Sequence, residues 1–403
     1  MTGTAVAQAI PVAISPILTR IYTPEDFGVF ALFLAISSIL ATIVNGRYEL
    51  AIMLPKKDED AINIFALGFI ITCFITILLF FVVFVFDDYL TKLLGNKEIS
   101  FWLYFIPLAV FFSGLYNVLN YFNNRKKRYK DLRNATILKS IVLCIVQLVV
   151  GFVKTGASGL ISGSLLSNMF ANMKLARNIL KDKILISKIQ KVKIVALAKK
   201  YKDFPKFSML AGLLNSSSTN LNNIMIPTFY GLTTLGFYSL VERVLGMPSS
   251  LISSSIGQVF FQQASDEKKK TGSAYKIFKQ TTLRLIFLGI PIFGILYFIV
   301  EDIFVVVFGE EWRIAGSYAN ILIPLFFVKF VVSPLTVMNQ IYLKNRLVLK
   351  WQSGLLFLYL ISFFISKYYN LDFNYFLNLL SFIIAIYYIY YYFLILKYIK
   401  EKI

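Results

Sequence analysis

Apolar stretches of about 20 residues recur along the whole chain and are separated by shorter polar segments. A helix of that length rises by about 30 Å, which matches the hydrocarbon core of a bilayer. The pattern therefore predicts an all-α polytopic membrane protein with twelve spanning helices. The predicted spans are residues 4–21, 27–47, 61–86, 101–122, 134–153, 159–180, 204–229, 233–260, 279–300, 315–342, 347–366 and 373–397.

The positive charges of the loops predict how these spans are oriented. With twelve spans, 32 of the 41 Lys and Arg residues lie on the side of the two termini, six lie on the opposite side and three lie within spans. Lys and Arg accumulate on the cytoplasmic side of a membrane protein. We therefore expect a multi-pass protein of a bacterial inner membrane with both termini in the cytoplasm. A missed or extra span in the middle would reverse the charge bias beyond it.

Composition excludes several other classes of protein. Hydrophobic residues make up 58% of the chain, charged residues 15%, and the mean hydropathy is +0.70, values that a soluble domain could not present to water without aggregating. Histidine is absent, and Cys73 and Cys144 lie in apolar stretches, so we expect no cofactor, no metal site and no His-based catalysis. The net charge of +20 does not indicate nucleic-acid binding, because the basic residues lie between spans.

The longest loop, residues 181–203, divides the chain into two halves. Its apolar residues stand among lysines and are Leu185, Ile189, Val192, Val195 and Leu197. This pattern is typical of an amphipathic helix on an anionic inner leaflet, but a solvated linker fits it equally well. We predict an N-terminal six-helix lobe at 1–180, a basic cytoplasmic linker at 181–203 and a C-terminal six-helix lobe at 204–403.

A short internal repeat supports this division. At an offset of 208 residues, the segment 22–32 (YTPEDFGVFAL) aligns with 230–240 (YGLTTLGFYSL), so that Tyr, Gly, an aromatic residue and Leu coincide. Because six spans are an even number, the halves would be parallel repeats around a central cavity, which is a geometry of alternating access. The same offset leaves the first span short, which indicates a late or trimmed start.

Two motifs near the N-terminus resemble a known family. They are PILTRIYTPEDFGVF at 16–30 and GRYELAIMLP at 46–55, the latter followed by Lys57, Glu59 and Asp60. They are similar to the polysaccharide biosynthesis, or O-antigen flippase, branch of the multidrug/oligosaccharidyl-lipid/polysaccharide exporter superfamily. The resemblance implies movement of an undecaprenyl-pyrophosphate-linked oligosaccharide to the outer leaflet without breaking a covalent bond. It also implies a polysaccharide polymerase and a chain-length regulator as partners.

Charged residues within the spans are the first candidates for binding such a substrate. An ionised side chain near the bilayer centre costs at least about 2.5 kcal/mol, so it should face a cavity or a partner. Lys329 lies near the middle of its span and could bind phosphate, snorkel or form a structural pair. Arg243 could bind substrate or join an inter-helix salt bridge, whereas its neighbour Glu242 is the candidate for ion or proton coupling. Lys139 lies close enough to the inner surface for a structural role to be favoured.

Polar helix faces are the second group of candidates. Asn117 and Asn120 share one face of the fourth span with Ser113 and Asn124, and the seventh span carries a run of amides and hydroxyls. We expect these positions to solvate sugar hydroxyls in a wet lumen, and the selected residues of the seventh span are Asn215, Thr219 and Asn222. Serines of the eighth span, Ser249, Ser250, Ser253 and Ser254, with Gln258, are expected only to join helices. Arg47, a substrate-binding candidate, lies with Glu49 at the cytoplasmic end of the second span, where the two form either an entry site or an interfacial anchor.

Two other functions are compatible with this chain. A cation-coupled drug exporter of the same fold would carry acidic residues deep in the first lobe, and spans 1 to 6 show none there. A membrane-embedded polymerase or glycosyltransferase would need a long outward loop, whereas the longest outward segments are residues 87–100 and 301–316. Both alternatives are therefore less well supported than a flippase.

Overall fold

The computed structural model describes residues 2–94, 98–154 and 156–400, and the regular elements in these ranges are helices. Residues 95–97, within the predicted outward segment 87–100, and Lys402 of the charge count lie outside the described residues. The first thirteen α-helices are α1 Thr2–Ala13, α2 Ser15–Leu18, α3 Pro24–Ile43, α4 Tyr48–Ala51, α5 Asp58–Leu93, α6 Ile99–Leu103, α7 Ile106–Arg125, α8 Tyr129–Val153, α9 Ser158–Leu180, α10 Lys183–Ile186, α11 Lys191–Lys200, α12 Met209–Tyr230 and α13 Leu232–Val241. The others are α14 Met247–Thr271, α15 Tyr275–Phe308, α16 Arg313–Val332, α17 Met338–Ile341, α18 Asn345–Tyr368 and α19 Phe373–Lys400, with π-helical turns at Phe204–Ser208 and Glu242–Gly246 and 3₁₀ turns at Glu310–Trp312 and Ser333–Val337.

Nine helical segments of the described chain are long and apolar enough to cross a membrane, so the protein is a multi-pass membrane protein. These segments are Pro24–Ile43, Asp58–Leu93, Ile99–Arg125, Tyr129–Val153, Leu232–Thr271, Tyr275–Phe308, Glu310–Ile341, Arg346–Tyr368 and Phe373–Lys400. The other three predicted spans coincide with α1 and α2, with α9 and with α12, which are shorter or richer in polar residues. The helical membrane fold is thus confirmed, whereas the number twelve stays a prediction.

The chain forms two compact units, Met1–Gly236 and Phe237–Ile403. The first ends well after the basic loop at which the sequence pattern placed the division. The division into lobes at 1–180 and 204–403 therefore stays a prediction.

Within the first unit, the repeated segments begin helices that touch at their glycines. The α3 helix begins with a capping box, in which Asp26 N–H donates to Thr23 Oγ1 at 3.3 Å and Thr23 N–H donates to Asp26 Oδ2 at 2.9 Å. Four residues into α3, Gly28 lies against the carbonyl of Leu232, where α13 begins. Gly236 of α13 lies in turn against the carbonyl of Pro24, where α3 begins. The contact is reciprocal, as a two-fold relation between repeated segments requires.

The basic loop is docked on the first unit through specific bonds. Asn63 of α5 donates from Nδ2 to the carbonyl of Lys188 at 3.0 Å and accepts from Gln190 N–H through Oδ1 at 2.8 Å. Tyr48 Oη donates to the carbonyl of Ala198 at 3.0 Å. The side chains of Lys188 and Lys193 both pair with Glu59, while the opposite face of the loop is exposed.

This docking separates the apolar residues that the sequence grouped on one face. Leu185 and Leu197 are buried in the core of the first unit, whereas Val192 is 80% exposed and Val195 is also exposed. Leu185 and Leu197 therefore pack against protein and do not face a leaflet, whereas the amphipathic character of the loop stays a prediction. The outer stripe of α11, which carries Lys191, Val192 and Val195, is exposed and free to meet a leaflet.

We expect Asn63→Ala to release this loop. The variant loses two hydrogen bonds to the loop backbone, worth about 2 kcal/mol together, so trypsin should cleave at the loop lysines about 30-fold faster. Limited proteolysis of the purified protein in detergent measures this rate. Asn378→Ala is the matched control, because Asn378 Nδ2 donates at 2.9 Å to a carbonyl of its own helix. Equal cleavage rates in the two variants would contradict the docking role of Asn63.

Candidate functional site

A cavity of about 740 Å³ lies within the second unit. Its walls come from the π-helical turn Glu242–Gly246, from α14, from α16 and from the 3₁₀ turn Ser333–Val337. The lining residues used below are Glu242, Gly246, Ser249, Ser250, Ser253, Ser254, Gly257, Gln258, Phe261, Phe326, Lys329 and Phe330. The volume is in the range of small-molecule sites, and the lining combines aromatic surface with few charges and several hydroxyls.

One helical face supplies most of the polar lining. Starting at Glu242, the lining positions recur every three or four residues through Gly246, Ser249 and Ser253 to Gly257. The π-helical turn precedes Pro248, which has no N–H to give to an i−4 carbonyl, and this favours the wider hydrogen-bond pattern. The sequence pattern assigned these serines to helix packing, and in the structure they also line the cavity. The signal that could have found them was the helical spacing that continues from Glu242.

Lys329 reaches this cavity from α16. Its Nζ lies 5.7 Å from the ring centroid of Phe326 and 6.0 Å from that of Tyr388, and both Tyr359 and Glu242 lie within electrostatic range. No carboxylate of the described residues lies within 4.0 Å of this ammonium group. A lysine held by aromatic rings in a cavity is suited to attract an anion. Substrate binding by Lys329 stays a prediction. It requires the ammonium group to lie in a cavity, and Lys329 does line one.

Glu242 lies in the same cavity wall. Tyr238 Oη donates to Glu242 Oε1 at 3.1 Å, and a Cβ added to Gly246 would lie 2.7 Å from Oε2. The absence of a side chain at Gly246 therefore leaves room for the carboxylate. Arg243 follows Glu242 in the π-helical turn but is not among the described residues that line the cavity, and it contacts another group. Glu242 and Lys329 thus line the same cavity, whereas Arg243 is not among its described lining residues.

Asn117 and Asn120 lie in the first unit, on α7. Asn117 Nδ2 donates to Asn45 Oδ1 at 3.4 Å, and Asn45 Nδ2 donates to Thr72 Oγ1 at 2.6 Å and to the carbonyl of Gly114 at 3.1 Å. This network joins α5 and α7 to the segment after α3. Asn117 therefore takes part in helix packing, and Asn120 is partly exposed on the same helix.

The polar run of α12 divides between two environments. Asn215 and Thr219 are exposed one turn apart, and Thr219 Oγ1 donates to the carbonyls of Asn215 at 3.1 Å and Ser216 at 3.0 Å. Asn222 is buried. Ser216 faces α3, where its hydroxyl donates to the carbonyl of Ser38 at 3.4 Å. Substrate binding by Asn215, Thr219 and Asn222 stays a prediction.

Arg47 forms a second charged site with Glu49, the residue with which the sequence pattern paired it at the end of the second predicted span. Arg47 Nη1 lies 3.5 Å from Glu49 Oε1, and Glu49 is only 2% exposed. Burial raises the pKa of the Glu49 carboxyl, while the neighbouring Arg47 guanidinium acts to lower it. The sequence signal was the alternation of Arg47, Tyr48 and Glu49 directly after a glycine.

Comparison with known proteins shows the family to which this chain belongs. The model of the family described as "Polysaccharide biosynthesis protein" matches residues 17–316, about three quarters of the chain. The chain belongs to this polysaccharide biosynthesis protein family. The resemblance inferred from the two N-terminal motifs is thereby confirmed.

Two curated relatives carry related descriptions. The teichuronic acid biosynthesis protein TuaB of Bacillus subtilis is 26% identical over 168 residues, which cover 41% of this chain and 34% of the relative. The succinoglycan biosynthesis transport protein ExoT of Rhizobium meliloti is 25% identical over 323 residues, which cover 76% of this chain and 60% of the relative. The matches thus span about one third and three fifths of the relatives' own lengths.

Two solved structures share the fold of this member of the polysaccharide biosynthesis protein family. The lipid II flippase MurJ in an inward closed conformation has a TM-score of 0.71 at 13% identity, over 99% of this chain and 88% of that chain. An inward-facing multidrug resistance MATE family transporter of the MOP superfamily has a TM-score of 0.62 at 14% identity, over 99% and 95%. The chain therefore has the fold that these two structures share.

Proposed function

We propose that this protein is a flippase that moves a lipid-linked oligosaccharide, a precursor of a surface polysaccharide, across the inner membrane by alternating access. The observation that carries the proposal is Lys329 in a cavity of about 740 Å³, without a described carboxylate within salt-bridge distance. Membership of the polysaccharide biosynthesis protein family and the description of ExoT as a transport protein support the class of cargo. The protein works as a transporter and carries out no covalent chemistry.

The cavity suits the polar end of such a cargo. The pyrophosphate of an undecaprenyl-pyrophosphate-linked oligosaccharide needs a cation, which Lys329 supplies, and its sugars need hydroxyl partners, which Ser249, Ser250 and Ser253 supply. Phe326 and Phe330 offer apolar faces against which sugar rings pack. The polyprenyl tail stays in the bilayer, so the cavity need hold only the headgroup.

Orientation and partners follow from the same proposal. The bias of 32 to six basic loop residues supports an inner-membrane protein with cytoplasmic termini, so that the cargo is loaded from the cytoplasmic leaflet. A polymerase and a chain-length regulator would act on the cargo after it reaches the outer leaflet. Arg47, directly before α4, and Arg243 beside Glu242 are further substrate-binding candidates.

A reconstituted flipping assay tests the proposal. The purified protein is placed in liposomes that contain a fluorescently labelled undecaprenyl-diphosphate trisaccharide, and dithionite is added outside. We expect the protected inner-leaflet fluorescence to become quenchable only in liposomes with protein. Protected fluorescence that equals that of protein-free liposomes would overturn the flippase proposal.

A cation-coupled drug exporter is the second candidate, favoured by the shared fold of the MATE transporter and by the carboxylate of Glu242 in the cavity. The same liposomes distinguish the two functions when they are loaded with ethidium under an imposed sodium or proton gradient. Gradient-driven ethidium movement without lipid flipping would establish the exporter. A flippase moves the labelled lipid and leaves ethidium behind.

A further inference from the structure

The segment after α3 reverses the chain through two successive left-handed residues. Gly46 has φ 57° and Arg47 has φ 59°, and the short helix α4 starts at the next residue. A non-glycine residue rarely adopts this conformation, and such residues cluster at functional sites. The reversal brings the side chain of Arg47 back toward Glu49, two residues further on.

The pair that results is incompletely satisfied. Glu49 is 2% exposed, and among the described residues its Oε2 has no hydrogen-bond partner. Arg47 is 28% exposed at its side chain, while its Nε is buried without an acceptor in the described part of the chain. Buried polar atoms are nearly always bonded, so the unfilled donor of Arg47 and the unfilled acceptor of Glu49 mark a place where a further group can bind. An anion would fill the donor of Arg47, and a proton would neutralise the charge of Glu49.

The groups that face Glu49 from α7 and α5 leave it no other cation. Tyr121 of α7 lies within electrostatic range of both members of the pair. Arg125 of α7 is occupied, because its Nη1 donates to the carbonyl of Ile52 at 3.2 Å and its Nε donates to Asp58 at 2.9 Å. Asp58 of α5 is in turn held by Arg125 and Lys126.

The remaining neighbours contribute one lysine, but Arg47 is the charge that acts on the Glu49 carboxyl. The π-helical turn Phe204–Ser208 packs against α4, and Lys206 in it lies with Nζ 5.1 Å from the ring centroid of Phe207. Gly212 of α12 covers the guanidinium of Arg47, since a Cβ added there would lie 3.3 Å from Cζ. Arg47 is therefore the cation on which the charge of Glu49 depends within the described chain.

We propose that Arg47 is shared between Glu49 and a phosphate of the substrate, and that Glu49 takes up one proton when the phosphate binds. In the free protein, Arg47 pairs with the Glu49 carboxylate. In the complex, the guanidinium turns to the phosphate oxygens and one proton from water binds Glu49 Oε2. Through Glu49, this site couples substrate binding to proton uptake, and it is separate from the cavity at Lys329. The inference rests on the proposed function, in which the cargo is a lipid diphosphate.

The electrostatics give the exchange a direction. A buried carboxylate that loses its counter-charge is stabilised by protonation, so its pKa is higher in the complex than in the free protein. Burial already raises the pKa of Glu49 while Arg47 acts against the shift. Below the pKa of the free protein Glu49 is protonated in both states, and affinity is constant. Between the two pKa values, the affinity for phosphate falls by about tenfold per pH unit as the pH rises.

Binding of farnesyl diphosphate to the full chain in lipid nanodiscs tests the proposal, with calorimetry between about pH 5 and pH 9. We expect the affinity of the wild type to fall as pH rises. Glu49→Gln mimics the protonated acid, so its affinity should not fall as pH rises. Ionisation of the diphosphate itself strengthens binding as pH rises and cannot imitate this result.

A matched variant locates the pH dependence. Glu59→Gln changes an exposed glutamate of the same unit and should keep the wild-type slope. A slope that survives in Glu49→Gln, or that disappears in Glu59→Gln as well, would overturn the role of Glu49.

Wild-type protein alone provides a second measurement if Glu49→Gln does not fold. Calorimetry in two buffers of different ionisation enthalpy, at a pH above the last ionisation of the diphosphate, counts protons, and we expect uptake on binding. Release of protons, or no change, would overturn the exchange. Failure of the wild type to bind farnesyl diphosphate at every pH would instead contradict the proposed cargo, so the two failures are distinguishable.

Discussion

Lys329→Ala is expected to abolish surface polysaccharide while the protein still inserts in the membrane. The ammonium group lies in the cavity with aromatic rings and no described carboxylate within 4.0 Å, so its removal leaves a diphosphate without its cation. Loss of one desolvated charge contact costs about 3 kcal/mol, or roughly 100-fold in affinity. Complementation of a deletion strain, with surface glycan and membrane protein both quantified, measures the effect.

Three companion variants separate charge from packing. Lys329→Arg keeps the positive charge and should retain part of the activity, whereas Lys329→Met keeps the volume without the charge and should behave as Lys329→Ala does. Lys139→Ala is the matched control, because Lys139 also lies in a spanning helix but packs over the ring of Tyr116 with Nζ 5.1 Å from its centroid. Wild-type glycan in the Lys329→Ala strain would remove Lys329 from the mechanism.

The membrane fold and the position of Lys329 could both be predicted from the sequence. An apolar stretch of about 20 residues has few stable states other than a spanning helix, and a charge in its middle must face a cavity or a partner. The serines around Ser249 and Ser253 are different, because small polar residues serve helix packing and cavity walls equally well. Only the tertiary arrangement, which puts these serines on the face of Glu242, decides between the two uses.

The docked loop and the Arg47 site show a second limit of sequence reasoning. Val192 and Leu197 are equally apolar, and the bonds of Asn63 determine which residue turns toward protein. The burial of Glu49 depends on the left-handed conformation of Arg47, which no periodicity encodes. In both cases the deciding contacts join residues that are distant in sequence or depend on an unusual backbone conformation.

Gly236→Ala and Gly28→Ala are expected to destabilise the protein strongly. A Cβ at Gly236 would overlap the carbonyl of Pro24, and a Cβ at Gly28 would overlap that of Leu232. Backbone carbonyls at the starts of helices cannot move aside as side-chain ends do, so α3 and α13 must separate, at a cost of about 3 kcal/mol. Thermal unfolding in detergent, followed by size-exclusion chromatography, measures the loss. Gly294→Ala is the control, because a Cβ there meets nothing within 4 Å, and this variant should unfold at or above the wild-type temperature.

The double variant, Gly28→Ala with Gly236→Ala, tests whether the two glycine contacts behave as one symmetric crossing. The two glycines are 208 residues apart, and so are the two carbonyls that they face, so both contacts belong to one reciprocal crossing. Because a single separation of the two helices relieves both overlaps, Gly28→Ala with Gly236→Ala should cost clearly less than the sum of the single losses. Additive losses would mean that the two contacts respond independently, and the crossing would then not behave as one symmetric unit. A single variant as stable as Gly294→Ala would contradict the close approach itself.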